Sequence, residues 1–291
     1  MNCAELCNRY LREHVASKKP RSQVEDLRQI QAYILPPLGA KLVADIQYED
    51  VEKIHAAMKK TPYQANRTLA LLSKIFSLAE KWRLRPYGSN PCAGIQRYRE
   101  LPRTRYMSPV EAPRLAAALE RHAAAYPQEV AFIQLLLLSG ARPEEIARAR
   151  WDWLELVGEG GVLRLPDSKT GARSVYLSPR LVRLLETIPI TGGCILAGAK
   201  PAALWGLLRA EAGMPELRLY DLRHTFASAA LAAGYSLDQI GALLGHKSTQ
   251  TTRRYAHLME EKAHEVAAGT SARLEEMLSP SAANDRPSAN L

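Results

Sequence analysis

A chain of 291 residues, 47% hydrophobic and 24% charged, is long enough for two domains that each bury a core without disulfides or metals, which excludes a generally disordered protein. It has no run of about 18 apolar residues to span a membrane, and Glu5, Arg9, Arg12 and Glu13 stand where a secretory signal would be apolar, so the expectation is cytoplasmic. The net charge of +9 is uneven: residues 1–106 hold 19 Lys and Arg against 10 Asp and Glu, and residues 107–291 hold 20 against 20. A basic excess confined to the first third suits a nucleic-acid partner, because lysines and arginines displace counterions from phosphates. Cys3, Cys7, Cys92 and Cys194 form no CxxC pair and do not join the seven histidines at zinc-finger spacing, so free thiols and no metal are expected.

In chain order, residues 3–16, 22–34 and 48–59 read as short amphipathic helices, with Leu35-Pro36-Pro37-Leu38-Gly39 predicting a break between the second and third. Thr61-Pro62 is a helix start, and it opens a long run through Leu69, Leu72, Ile75 and Phe76 to Trp82. The spacing predicts a small helical bundle over residues 1–98. Its outward Lys59, Lys60, Arg67, Lys74 and Lys81 are candidates to line a DNA groove, a pattern that any solvated helix face also shows. Turn-rich sequence follows from Arg83. Arg97, Arg99, Arg103 and Arg105 then come at close spacing without helical periodicity, which predicts a basic linker, over 99–106, that crosses a nucleic-acid backbone.

Ser108-Pro109 predicts the first helix of a second domain, over residues 107–278. The continuous apolar run Val130–Leu138 predicts a buried helix, closed by Gly140, and Pro143 opens the next. Arg142 is thereby held at a helix junction, where Glu145 either pairs with it or braces it. Three strand-like pieces, 151–156, 162–165 and 174–177, predict a small antiparallel sheet, with Lys169 at the tip of the hairpin Asp167–Gly171. Helices resume at 179–187 and 201–211. Residues 279–291, rich in Ser, Ala, Asn and Pro, predict a disordered tail.

The chemistry concentrates in Leu219–Leu258. Leu219, Leu222, Phe226 and Ala230 mark a helix whose apolar stripe would aim Arg223 sideways, and Gly234 stops it. Ser236 with Gln239 forms a capping-box signal for another helix, which Gly245 closes just before His246. A third helical run from about Ser248 carries Tyr255 behind Arg253 and Arg254. A tyrosine with its ordinary pKa of about 10 is a poor nucleophile and needs cationic or hydrogen-bonding neighbours. Arg142, Lys169, Arg223 and His246 are the candidates.

The segments SGARPEEI, SKTGARSVYL, LYDLRHTFAS, LLGHKS and TTRRYAHL stand in an order and approximate spacing that resemble the tyrosine recombinase, or phage integrase, family. The resemblance covers about residues 107–270, and residues 1–100 look like that family's core-binding, SAM-like helical domain. It implies a fold that is mainly α with a small antiparallel β-sheet, and transesterification at a DNA phosphodiester with no metal and no cofactor. Arg142 and Arg223 would clamp the non-bridging phosphate oxygens. Tyr255 would attack phosphorus to form a 3′-phosphotyrosyl link, Lys169 would protonate the departing 5′ oxygen, and His246 would donate a hydrogen bond to the phosphate or assist proton transfer. The implied partners are double-stranded DNA, a homo-tetramer on paired sites that exchanges strands through a Holliday junction, and DNA-bending accessory proteins. The helix after Tyr255, with Ala263, Val266, Ala267 and Leu274, would dock into a neighbouring protomer.

One departure stands out. Where the family usually has histidine three residues before the second arginine, this chain has Tyr220, which near neutral pH donates a hydrogen bond but does not readily accept a proton. The expectation is that Tyr220 keeps a hydrogen bond and that the reaction is slower. His224 and His257 flank the motif and are expected to pack or hydrogen-bond. Integration of a phage or other mobile element is the leading use. No room precedes residue 1 for the arm-binding domain that many such integrases carry, so a simpler or truncated integrase, or a relative of chromosome-dimer resolvases, is expected. A type IB topoisomerase-like enzyme and a catalytically impaired DNA-binding regulator are the alternatives.

Overall fold

The computed structural model describes residues 1–101, 103–168, 171–246 and 248–278. The chain divides into two compact units, Met1–Pro102 and Arg103–Leu291. Among the described residues no helix is long and apolar enough to cross a membrane. The cysteines are unpaired, with Cys3, Cys7 and Cys92 buried.

The first unit is built on α1 (Cys3–Glu13), α2 (Pro20–Gln29), α3 (Leu35–Leu38), α4 (Tyr48–Ala57) and α5 (Pro62–Lys81). Asn2 and Glu5 make a reciprocal capping box that starts α1, the side-chain oxygen of each accepting the other's backbone N–H at 2.9 and 2.8 Å. Leu6, Tyr10, Ile30, Ile34, Leu38, Leu72, Ile75 and Phe76 fill the core. The predicted break at Leu35–Gly39 is not where the helical path ends. α2 runs through a π-helical turn, Ile30–Ile34, directly into α3. Pro36 is the second residue of α3, just after the π-helical turn. Buried Asn66 on α5 holds the end of the unit: its Nδ2 donates to the Tyr98 carbonyl and to Glu100, both at 2.8 Å, and its Oδ1 accepts the Tyr98 N–H at 2.9 Å.

The second unit contains α6 (Ala112–His122), α7 (Pro127–Ser139), α8 (Pro143–Ala147), the strands β1 (Leu154–Val157), β2 (Gly160–Leu165) and β3 (Arg173–Leu177), then α9 (Pro179–Glu186), α10 (Pro201–Glu211), α11 (Asp221–Ala232), α12 (Leu237–Leu244), α13 (Thr249–Thr252) and α14 (Ala256–Leu278). The fold is thus mainly helical with one three-stranded antiparallel sheet, in the order β1-β2-β3. Glu155 pairs with Val162 and Leu163 with Val175 in register. Central α7, apolar on nearly every side, packs with β2, β3, α9 and α10 through Ile133, Leu135, Leu163, Val175, Leu181 and Leu208.

Two predicted starts move. Helix α6 begins at Ala112 rather than at Ser108-Pro109, because the Glu111 carboxylate accepts the Ser108 N–H at 2.7 Å and ties 108–111 into a turn. Trp151–Trp153 forms a 3-10 turn, so the first strand begins at Leu154. A smaller apolar cluster, Ala227, Leu231, Ile240, Leu244 and Tyr255, joins α11 and α12 to the turn that carries the tyrosine.

Candidate active site

The ends of α7 and α12 meet over the first turn of α11. Gly140 ends α7 with φ of +64°, and a Cβ there would lie 2.5 Å from Phe226 Cδ1 and 2.8 Å from Leu244 Cδ2. The position needs glycine both for the left-handed backbone and for the close approach. Arg223, 2% exposed, bridges the two ends: Nη1 donates to the Gly140 carbonyl at 2.6 Å and Nη2 to the Leu244 carbonyl at 2.7 Å. A cation at two helix C-termini also meets the negative ends of their dipoles.

Two more guanidinium groups lie in the same electrostatic neighbourhood. Arg142 Nη1 donates to Glu145 Oε1 at 2.6 Å, and its backbone N–H donates to Glu145 Oε2 at 2.8 Å. Arg173, at the start of β3, donates from Nη1 to the Leu244 carbonyl and places Nε 3.7 Å from Glu145 Oε1. Its Nε and Nη2 are buried without a hydrogen-bond partner among the described residues. Burial pushes the Arg223 guanidinium down to about 10, and Arg142 pushes in the same direction. Burial pushes Arg173 down as well, with Glu145 opposing. Arg142 and Arg173, both largely buried, share one carboxylate, Glu145, while buried Arg223 rests on the two carbonyls. Positive charge held out of water without its counter-charge is costly, and an anion placed here would lower that cost.

His246 follows the left-handed Gly245 that caps α12. Its Nδ1 lies 2.8 Å from Thr252 Oγ1. A Cβ at Gly241 would come within 2.9 Å of that same Oγ1, so the glycine lets Thr252 close on α12. Tyr255, 5% exposed, has its hydroxyl 2.7 Å from Nδ1 of His224, which is 8% exposed. Tyr220 is 42% exposed and packs edge-on to the His224 ring, with centroids 5.7 Å apart. The Tyr220 hydroxyl makes no hydrogen bond among the described residues, and the contact to Tyr255 is made from position 224. Lys169 lies outside the described residues, as does the 279–291 tail.

The structure therefore brings Arg142, Arg223 and Glu145 into one charged neighbourhood, with Tyr255 contacting the residue next to Arg223 and His246 two residues past Leu244. Sequence reasoning missed Arg173. The signal was available: in a strand, positions two apart share a face, and Arg173 lies on the side of buried Val175 and Leu177. The link between His224 and Tyr255 had no comparable signal. The expected stripe on α11 packs inward, with Leu222 buried and Leu219, Phe226 and Ala230 half-buried against the core, but it is only part of the buried surface, since Asp221, Arg223, His224 and Thr225 are buried at the first turn as well. Aliphatic spacing cannot report a turn buried on polar residues.

On the first unit, Lys59, Lys60, Arg67, Lys74, Lys81, Arg97 and Arg99 are exposed and make no ion pair among the described residues. Arg103 and Arg105 differ. Arg103 pairs with Asp221 at 3.1 Å, and Arg105 pairs with Glu216 at 2.7 Å and with Glu111. Among the described residues no three His, Cys, Asp or Glu side chains come together as metal ligands.

The family model for the phage integrase family matches residues 105–262. The shufflon-specific DNA recombinase of Escherichia coli is 30% identical over 203 residues, covering 65% of this chain and 50% of that protein. The integrase of Haemophilus phage HP1 is 25% identical over 227 residues, covering 75% and 64%. A putative prophage phiRv2 integrase of Mycobacterium tuberculosis is 30% identical over 140 residues, 43% of this chain and 37% of that protein. The chain thus spans from about a third to two thirds of the length of these relatives. In fold it is similar to a lambda integrase fragment solved as a dimer on a core site, with a TM-score of 0.70, 18% identity, and coverage of 88% of this chain and 95% of that one. It is also similar to the Tn1549 transposon integrase solved with circular intermediate DNA, with a TM-score of 0.71, 15% identity, and coverage of 88% and 95%. With the family model matched across more than half of its length, the chain belongs to the phage integrase family.

Proposed function

We propose that the chain is a site-specific DNA recombinase that cleaves and rejoins strands through a 3′-phosphotyrosyl intermediate, serving the integration of a phage or other mobile element in the cytoplasm. The observation that carries this reading is the buried arginine cluster around one carboxylate, adjoining a buried tyrosine hydroxyl. A phosphodiester supplies the missing negative charge, and more of it as phosphorus becomes five-coordinate. Arg142 and Arg223 hold the non-bridging oxygens, with Glu145 bracing Arg142. Tyr255 attacks, His246 donates to the phosphate, and Lys169 protonates the departing 5′ oxygen.

The exposed Lys59, Lys60, Arg67, Lys74, Lys81, Arg97 and Arg99 bind the duplex backbone. Arg103 and Arg105 contribute to that surface only to the extent that DNA competes with their carboxylate partners. A homo-tetramer on paired sites, helped by DNA-bending proteins, carries out the exchange, and the exposed Leu274, Met277 and Leu278 of α14 favour a subunit contact there. The relatives, a shufflon recombinase and integrases, favour recombination over a topoisomerase or a silent regulator.

The test is incubation with nicked duplexes from the ends of the element that encodes the protein. A covalent adduct mapped to Tyr255 and absent from Tyr255→Phe is expected. No adduct with any end sequence, despite tight binding, would favour the regulator.

A further inference from the structure

We propose that His224 is the catalytic residue that takes the phenolic proton from Tyr255, filling the place that Tyr220 leaves empty. The proposal rests on the reading of Tyr255 as nucleophile. Three features of the structure point to it. Tyr255 Oη and His224 Nδ1 are 2.7 Å apart, within the range for direct proton transfer, and both side chains are buried from solvent. Tyr220 is more than a third exposed, and its hydroxyl makes no hydrogen bond among the described residues. Its ring instead stands against the His224 ring at an interplanar angle of 70°, while Tyr255 packs on the same imidazole at 5.8 Å between centroids. His224 is thus propped between two tyrosines, one orienting it and one delivering a proton.

The helix explains why one residue step suffices. Consecutive side chains on an α-helix diverge by about 100°. Arg223 can therefore face the Gly140 and Leu244 carbonyls while His224, on the same first turn of α11, faces Tyr255. Phosphate clamping and nucleophile activation are mounted on one rigid piece of backbone.

In the step itself the bond from Tyr255 Oη to phosphorus forms and the bond from phosphorus to O5′ breaks. The phenolic proton passes to His224 Nδ1, and O5′ takes its proton from a separate acid, Lys169. An ordinary imidazole, with a pKa near 6.5, is too weak to ionise a resting phenol near 10. The transfer therefore accompanies bond formation, as the attacking oxygen becomes more acidic. Rejoining reverses each movement, with the proton on His224 returning to the phenol.

The closing experiment uses the full chain at saturating nicked duplex and two leaving groups, ordinary oxygen and a 5′-bridging sulfur that departs without protonation. His224→Gln offers Tyr255 an acceptor oxygen but cannot take a proton. It is expected to slow adduct formation by about 100-fold or more, equally with either leaving group, while DNA affinity stays unchanged. Lys169→Ala should be rescued by sulfur. Should His224→Gln fail to fold, His224→Asn reads the same quantity. Cleavage by His224→Gln at the native rate or faster would overturn the proposal and make the histidine a latch, and rescue of that variant by sulfur would overturn it by making the histidine an acid. If the native protein forms an adduct and His224→Gln forms it as fast, only the proposal fails. If the native protein forms none, the reading of Tyr255 fails with it.

Discussion

On the first unit, Lys59, Lys60, Arg67, Lys74 and Lys81 stand in solvent without ion pairs among the described residues, whereas Arg223 of the second is buried and Arg142 and Arg173 are largely so, with hydrogen bonds to carbonyls or to one carboxylate. Solvated charges attract a polyanion from a distance, cost little to hold, and lose effect as salt rises. Buried charges are held in fixed directions, are screened little, and act on charge that develops at one atom. In the function proposed above, the same residue types serve affinity in one unit and chemistry in the other.

The sharpest way to break this contrast is Tyr255→Phe, expected to abolish the covalent adduct while leaving duplex affinity unchanged. A binding loss of the same scale would mean that the second unit contributes affinity as much as chemistry. Next is Arg223→Ala. Removing a fixed donor to the phosphate is expected to slow single-turnover cleavage by about 100- to 1,000-fold. Leaving the Gly140 carbonyl without its donor, while Arg173 still serves the Leu244 carbonyl, should also cost about 1–3 kcal/mol in urea unfolding. A stability loss without a cleavage defect would reduce Arg223 to a clasp between helix ends. Glu145→Gln should destabilise the second unit by about 3 kcal/mol, because Arg142 and Arg173 lose their shared counter-charge, and added phosphate or sulfate should restore part of that stability.

The exposed set should behave in the opposite way. Lys74→Ala with Lys81→Ala should weaken binding, lower the slope of log affinity against log salt by about 0.9 per lost phosphate contact, and leave the adduct rate at saturating DNA unchanged. The smallest effect concerns Glu111, whose carboxyl is held at about 2, below its ordinary 4.5, by the Arg105 guanidinium and then by Ser108. A folded-state value below the unfolded one means that the pair stabilises above about pH 4.5 and that this contribution is lost as pH falls toward 2. Arg105→Gln should flatten that part of the acid-unfolding profile.

Local signals survived translation into structure where the chain closes its own hydrogen bonds over a few residues. The box at Ser236 and Gln239 starts α12, and Gly140 and Gly245 take the left-handed conformation that ends α7 and α12. Boundaries went astray where a more distant group intervened, as when Glu111, engaged by Arg105, held Ser108 in a turn. The candidate site was legible as a set of residue types in order, because Arg142, Arg223, His246 and Tyr255 sit in short motifs.

What the sequence by itself determined is the helical character, the charge asymmetry and the identity of the motif residues, since periodicity, caps and composition are properties of neighbours along the chain. Only the tertiary structure decided who touches whom. Arg223 and Gly140 are 83 residues apart, Arg173 and Leu244 are 71, and His224 and Tyr255 are 31. Such pairs form because packing α7, α11 and α12 together leaves buried polar groups that must find partners inside the fold. That requirement is met across the core, where a sequence pattern has no reach, and it placed His224 rather than Tyr220 against the Tyr255 hydroxyl.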